Sequence, residues 1–180
     1  NVFRPADTTE TIECWEMALE NFNTPSVLTL TRQKLSPIRK EFGKENKCSL
    51  GAYEILRTSE KIDLTIFASG SEVNLAVEVS HKLATQNTHS KVISVPCQEL
   101  FDKQKVDYQT KILDENKHKI SIEASTTDTW KKYIGNNGIS FGLNDFGKSA
   151  PYKDIYKNFK LTVDDIVKST QEMIRENNQD

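Results

Sequence analysis

Two apolar rhythms alternate along the chain. Ile12, Trp15, Leu19 and Phe22 recur at helical spacing and lay one apolar stripe along a helix. Asp7, with Glu10 three residues on, gives that helix a capping-box-like start, in which side-chain oxygens accept from the orphan N–H groups of the first turn. Residues 26–31 (SVLTLT) are short, β-branched and bounded by Pro25, which predicts a strand; residues 1–5 predict another, entering a turn. Strand, helix, strand predicts a right-handed parallel crossover. Two strands alone are marginal in water, so this unit wants neighbours that the sequence does not supply.

Residues 33–50 (QKLSPIRKEFGKENKCSL) hold no sustained period and carry Pro37, Gly43 and mixed charge, which predicts a linker. A longer unit follows from Gly51. Residues 62–68 (IDLTIFA) predict an apolar strand, Ser69-Gly70-Ser71 a turn, and Val73, Leu75, Ala76, Val79 and Leu83 the inner side of a helix. Residues 91–95 (KVISV), stopped by Pro96, and 119–124 (KISIEA) predict two more strands, with short helical segments over 98–113 between them. Residues 127–134 predict a helix, and the glycine-rich stretch after it leaves one short strand at 139–141. Thr162, with Asp165 three residues on, opens the clearest helix, where Val163, Ile166, Val167, Thr170, Met173 and Ile174 follow the i, i+3, i+4, i+7 pattern. The expected fold is α/β: a three-layer α/β/α domain with a mostly parallel sheet, preceded by a βαβ unit.

Composition narrows the function. The 180 residues are 36% apolar and 28% charged, and the mean hydropathy is −0.59, so the surface is very polar. Lys and Arg number 24 against 26 Asp and Glu, a formal net charge of −2, which lacks the basic footprint of a nucleic-acid binder. No apolar run approaches the roughly 18 residues that span a bilayer. Cys14, Cys48 and Cys97 form no CxxC, and an odd count fits a reducing cytosol. A soluble cytoplasmic protein is expected. The chain opens at Asn1, without Met and directly in a strand, which predicts a start inside a domain of a longer polypeptide.

Candidate chemistry is sparse. The turn Ala68-Ser69-Gly70-Ser71-Glu72 stands where a helix N-terminus can hold an anion, but it is neither a P-loop nor a dinucleotide fingerprint. The expected reading is that Gly70 permits the turn while Ser71 caps the helix. His81, His89 and His118 share no metal-ligand spacing with one another or with a Cys or carboxylate, and His81 is expected on the wet face of its helix. The cysteines carry no nucleophile signature. Glu123 ends a predicted strand, as a functional carboxylate or as a cap or ion-pair partner. Arg32 is the sharper candidate. It stands just past strand 26–31, at a carboxyl end, where ligand crevices of parallel sheets open. An Arg there either clamps a phosphate with paired N–H bonds or makes a structural ion pair.

Six stretches then resemble one family. Phe3-Arg4-Pro5-Ala6-Asp7 followed by Leu28-Thr29-Leu30-Thr31-Arg32-Gln33-Lys34-Leu35 is similar to the tail of the pyrimidine-binding domain of the transketolase family. Ala68–Val73, then Val95-Pro96 with Leu100–Gln104, then Lys132–Gly135 and Phe146–Pro151 resemble further family motifs, in order and at family spacing. The resemblance implies a boundary between a remnant of the pyrimidine-binding domain (1–40) and a C-terminal domain (48–180). It implies a thiamine-diphosphate and Mg²⁺ enzyme of the non-oxidative pentose phosphate pathway, which moves a two-carbon ketol unit between sugar phosphates as a homodimer. The family's TRQ/SRQ arginine binds substrate phosphate, and it maps onto Arg32. The G-D-G segment for diphosphate and metal, the activating glutamate and the catalytic histidines are absent, so no catalytic, cofactor or metal residue is expected on this chain, which alone should be inactive. No nucleic-acid or membrane partner is implied. A dihydroxyacetone synthase, using formaldehyde as acceptor, resembles it closely. A stand-alone anion-binding or interaction module is disfavoured by the exposed parallel strand it would leave. The apolar face of residues 1–31 predicts dimer contacts or poor order.

Overall fold

A computed structural model describes residues 1–39, 43, 45–114 and 118–177. Residues 40–42 and 44 of the predicted linker lie outside it. The first unit is β1 (Val2–Phe3), α1 (Thr8–Glu20) and β2 (Val27–Leu28), with β1 and β2 paired in parallel as a two-stranded sheet. The strand expected over 26–31 is therefore shorter. β2 pairs with β1 alone, and β1 contributes only two residues to the ladder, so the pairing ends with one further bond, Thr29 N–H to the Phe3 carbonyl at 2.8 Å.

A 3₁₀ turn (Lys47–Leu50) leads to the second unit. Its glycine exit, Gly51, has φ +74°, and a Cβ there would stand 2.1 Å from the Phe101 nitrogen, so chain direction and packing both demand glycine. The five strands are β3 (Tyr53–Arg57), β4 (Leu64–Ala68), β5 (Ser90–Ser94), β6 (His118–Ile122) and β7 (Ile139–Phe141), in the order β3-β5-β4-β6-β7. All pairs are parallel except β3 with β5, which is antiparallel and irregular between Glu54 and Leu56. Sequence reasoning missed β3 because an edge strand carrying Glu54 and Arg57 shows no sustained apolar alternation; its charges also blunt the sheet edge.

The central strands alternate faces, and the two faces build the three layers. Leu64, Ile66 and Ala68 with Val92, Ile120 and Ile122 pack against α2 (Glu72–Ala84) and α7 (Val163–Asn177). Phe67 and Ile93 face the other way, onto α3 (Gln98–Phe101), α4 (Val106–Leu113) and α5 (Lys131–Ile134). A short helix that the pattern did not predict, α6 (Tyr152–Asn158), follows the glycine-rich stretch. Thr162 accepts from the Asp165 N–H and caps α7 as the spacing predicts.

The first unit is bolted to the second. Arg4 N–H donates to the Pro96 carbonyl at 2.8 Å, Gly70 N–H donates to the Arg4 carbonyl at 2.9 Å, and Ala6 joins the core between β4 and α2. α1 ends at Glu20, short of Phe22; its stripe Ile12, Trp15 and Leu19 points outward with Phe22 beyond it, and the helix buries Glu10 and Cys14 instead.

Candidate functional site

The carboxyl ends of β4, β5 and β6 stop together, and the chain leaves β4 for β5 on one side and returns past it to β6 on the other. That reversal opens a crevice between β4 and β6, where parallel sheets ordinarily take their ligands. Ser69 ends β4 and Glu123 ends β6. The buried Glu123 carboxylate accepts from Ser69 Oγ (2.7 Å), Trp130 Nε1 (2.7 Å) and Arg4 Nε (2.9 Å). The crevice is thus filled by an arginine of the same chain. Of the two readings open for Glu123, ion-pair partner holds, with Arg4 rather than a lysine. The signal available in the sequence was the coincidence of Ser69 and Glu123 at the ends of adjacent strands. Arg4, 119 residues away, carried none.

Two further buried carboxyls tie the elements around this point. Glu72, at the start of α2, accepts from Ala124 N–H at 3.0 Å and from the hydroxyls of Tyr156 and Ser71. Ser71 makes no side-chain cap, contrary to the simplest expectation: its backbone is already helical (φ −58°, ψ −25°) and its hydroxyl donates to Glu72; Gly70, at φ +58°, does permit the turn. Glu10 is fully buried and accepts from Ala6 N–H (2.7 Å), Tyr53 Oη (2.7 Å) and Ser94 Oγ (2.6 Å). Burial pushes its carboxyl above the ordinary range, against the opposing pull of those hydrogen bonds. Asp7 Oδ1 caps α1 through Glu10 N–H at 2.8 Å, so the predicted capping pair forms. Arg39 pairs with Glu13 at 2.6 Å and lies 5.3 Å from the centre of the Tyr53 ring.

The three cysteines are buried as packing thiols. Contact with Cys14, then burial, pushes the Cys48 thiol up; burial pushes Cys97 up to about 12. Neither is a nucleophile at neutral pH. His81 is exposed as expected. Among the described residues no three His, Cys, Asp or Glu side chains converge as a metal site, and the sequence holds no G-D-G segment. The described residues hold no donor set that fits the metal and diphosphate of thiamine diphosphate.

Arg32 stands four residues past β2, on the carboxyl side of the small sheet, and it is exposed. Among the described residues no carboxylate pairs with it. The segment around it is bordered by three cavities. One of about 460 Å³ lies against Asp7, Thr8, Thr11 and Lys34; one of about 290 Å³ lies between Gln33–Ser36 and Tyr152 and Tyr156. The third, about 200 Å³, lies between Thr29–Thr31 and the Arg4–Glu123 pair. Arg32 itself lines none of the three.

Residues 51–162 match the family described as transketolase-like TK C-terminal domain. The transketolase of Sinorhizobium medicae is 43% identical over 176 residues, 97% of this chain and 25% of that protein. The transketolase of Leishmania mexicana superposes with a TM-score of 0.86 at 37% identity, over 97% of this chain and 25% of that one. A Pichia stipitis transketolase complexed with sedoheptulose 7-phosphate gives 0.89 at 35%, over 99% and 25%. The chain spans about a quarter of the length of the relatives it matches.

Proposed function

This chain belongs to the transketolase family, as its C-terminal portion, and from that premise we propose that it serves ketol transfer by presenting Arg32 to the phosphate of a sugar-phosphate substrate. The observation that carries the site is the exposed Arg32 guanidinium, free of any carboxylate partner among the described residues, at the carboxyl end of β2. A planar guanidinium free to offer two parallel N–H donors suits a phosphate monoester. Residues 1–40 form the remnant of one domain and 48–180 a second; the diphosphate and metal ligands and the acid–base groups belong to the complete cytoplasmic enzyme, outside this chain. The outward stripe of α1 is covered there, by the rest of the protein or by the second copy of a homodimer. Relatives named transketolase favour a sugar-phosphate acceptor over formaldehyde.

The test is ketol transfer by a complete polypeptide that ends in this chain, with ribose 5-phosphate against formaldehyde as acceptor, and with Arg32→Ala beside it. Loss of a charge-assisted clamp should weaken a phosphorylated substrate by about 1.5–3 kcal/mol while sparing the non-phosphorylated donor hydroxypyruvate. Equal losses on both donors would make Arg32 structural.

A further inference from the structure

We infer that Glu123 is a positioning residue for Arg32, acting through Arg4; the inference rests on the reading of Arg32 as the phosphate ligand. The path is short. Among the described residues β2 pairs only with β1, so the exit of the chain at Thr29 is set by β1 and the residue that follows it, Arg4, while Ser36 and Ile38 are held farther on by Asn74 and Asp7. Arg4 is held at three points: its N–H on Pro96, its carbonyl on Gly70 N–H, and its guanidinium on Glu123. The backbone bonds fix where Arg4 is. The side chain fixes what lies beneath the strand end, because Arg4, Glu123 and Thr29–Thr31 line one cavity.

Glu123 is itself rigid. Ser69 and Trp130 each donate to it at 2.7 Å, from β4 and from the turn before α5, so the carboxylate cannot follow a displaced guanidinium. Truncating Arg4 enlarges the cavity under Thr29–Thr31 and leaves a buried carboxylate without the cationic partner it has among the described residues. The segment bearing Arg32 then settles into the space. A phosphate clamp tolerates such a shift poorly, since misplacement by about 1 Å is worth on the order of a hundredfold in well-aligned sites. The crevice that normally receives a ligand in this sheet type is, on this view, a guanidinium site occupied in cis.

The experiment uses the complete polypeptide with the variants Arg4→Ala, Arg4→Lys, Glu123→Gln and Arg32→Ala, each checked for native far-ultraviolet dichroism. KM is read for a ketose phosphate and for hydroxypyruvate. Arg4→Ala and Glu123→Gln should raise KM for the ketose phosphate about tenfold, with kcat on hydroxypyruvate within about twofold. Arg4→Lys keeps the charge and the fold but not the planar fork, and should show a smaller rise of the same kind. Millimolar ethylguanidinium should lower the raised KM of Arg4→Ala and leave that of Glu123→Gln unchanged. A normal ketose-phosphate KM in Arg4→Ala, or equal loss on both donors, overturns the inference. If that happens while Arg32→Ala still separates the donors, the reading of Arg32 survives; if Arg32→Ala fails to separate them, both fall. Rescue of neither variant by ethylguanidinium would also overturn the cis-occupied crevice.

Discussion

Two helices of the same length meet opposite fates. In α2 the apolar stripe Val73, Ala76, Val79 and Leu83 is wholly buried against β4, β5 and α7. In α1 an equally regular stripe faces outward, with Ile12 59%, Trp15 50% and Leu19 67% exposed, and Phe22 just past the helix is 92% exposed. The inner face of α1 is built from Glu10 and Cys14, with Met17 and Ala18 beside them. The difference is one of neighbours. α2 rests on a five-stranded sheet that offers complete apolar faces, whereas α1 rests on two strands and on the back of the second unit, where a small cluster of Phe3, Cys14, Cys48 and Cys97 packs beside the Glu10 carboxyl and the two hydroxyls it accepts from. Periodicity announces a stripe and leaves open what will cover it.

The largest effect should come from the region whose stripe is covered. Ile120 lies on β6, beside the central strand β4, fully buried between Ile66 and Ile139. Ile120→Ala should destabilise the chain by about 3–4 kcal/mol, through lost transfer energy and the cavity it leaves, and urea unfolding reads it directly. A loss below 1 kcal/mol would mean that the sheet face relaxes freely and that the two regions are alike.

Glu10→Ala comes next. It strands the Ala6 N–H, the Tyr53 hydroxyl and the Ser94 hydroxyl together, which should cost about 2–3 kcal/mol. Its pH dependence has a definite sign. The folded carboxyl titrates above its ordinary value of 4.5, so the folded state binds the proton more readily than the unfolded one. The contribution of Glu10 to stability is therefore greatest at low pH and falls as pH rises from about 4.5 through the raised value. Urea midpoints of wild type and Glu10→Gln against pH should diverge over that window, wild type losing ground as pH rises. Parallel curves would show an unshifted carboxyl and a first unit held by packing alone.

What the sequence made legible follows the same division. β4, β5, β6 and α7 were readable because each is long or apolar enough for its period to stand out, and β7 fell on residues 139–141 as expected. β3 and α6 were not, since an edge strand and a seven-residue helix bury too little to leave a pattern. In the proposed site, Arg32 was singled out by its place past a strand and by the resemblance of its TRQ context. The Arg4–Glu123–Ser69–Trp130 constellation was not, because it is assembled from four segments whose only relation is the order of strands in the sheet. Ser71 misled for a local reason: its backbone is already helical rather than in the extended conformation of a capping residue.

The smallest expected effect is the most discriminating. Leu19→Ala removes a side chain that is mostly in water and replaces it with a better helix former, so stability at micromolar concentration should stay within about 0.5 kcal/mol of wild type. The comparison of α1 with α2 requires this, since a stripe that nothing covers has little transfer energy to lose. The same substitution becomes a probe when concentration is raised. If the outward face of α1 meets a second copy, the wild-type melting temperature should climb with protein concentration, because association stabilises the folded state by mass action. Leu19→Ala should flatten that climb while leaving the dilute value unchanged. A destabilisation of 2 kcal/mol or more in dilute monomer would instead mean that the stripe is already packed within the chain. α1 would then be a core helix like α2, and the outward face would cease to be a docking surface for the rest of the enzyme.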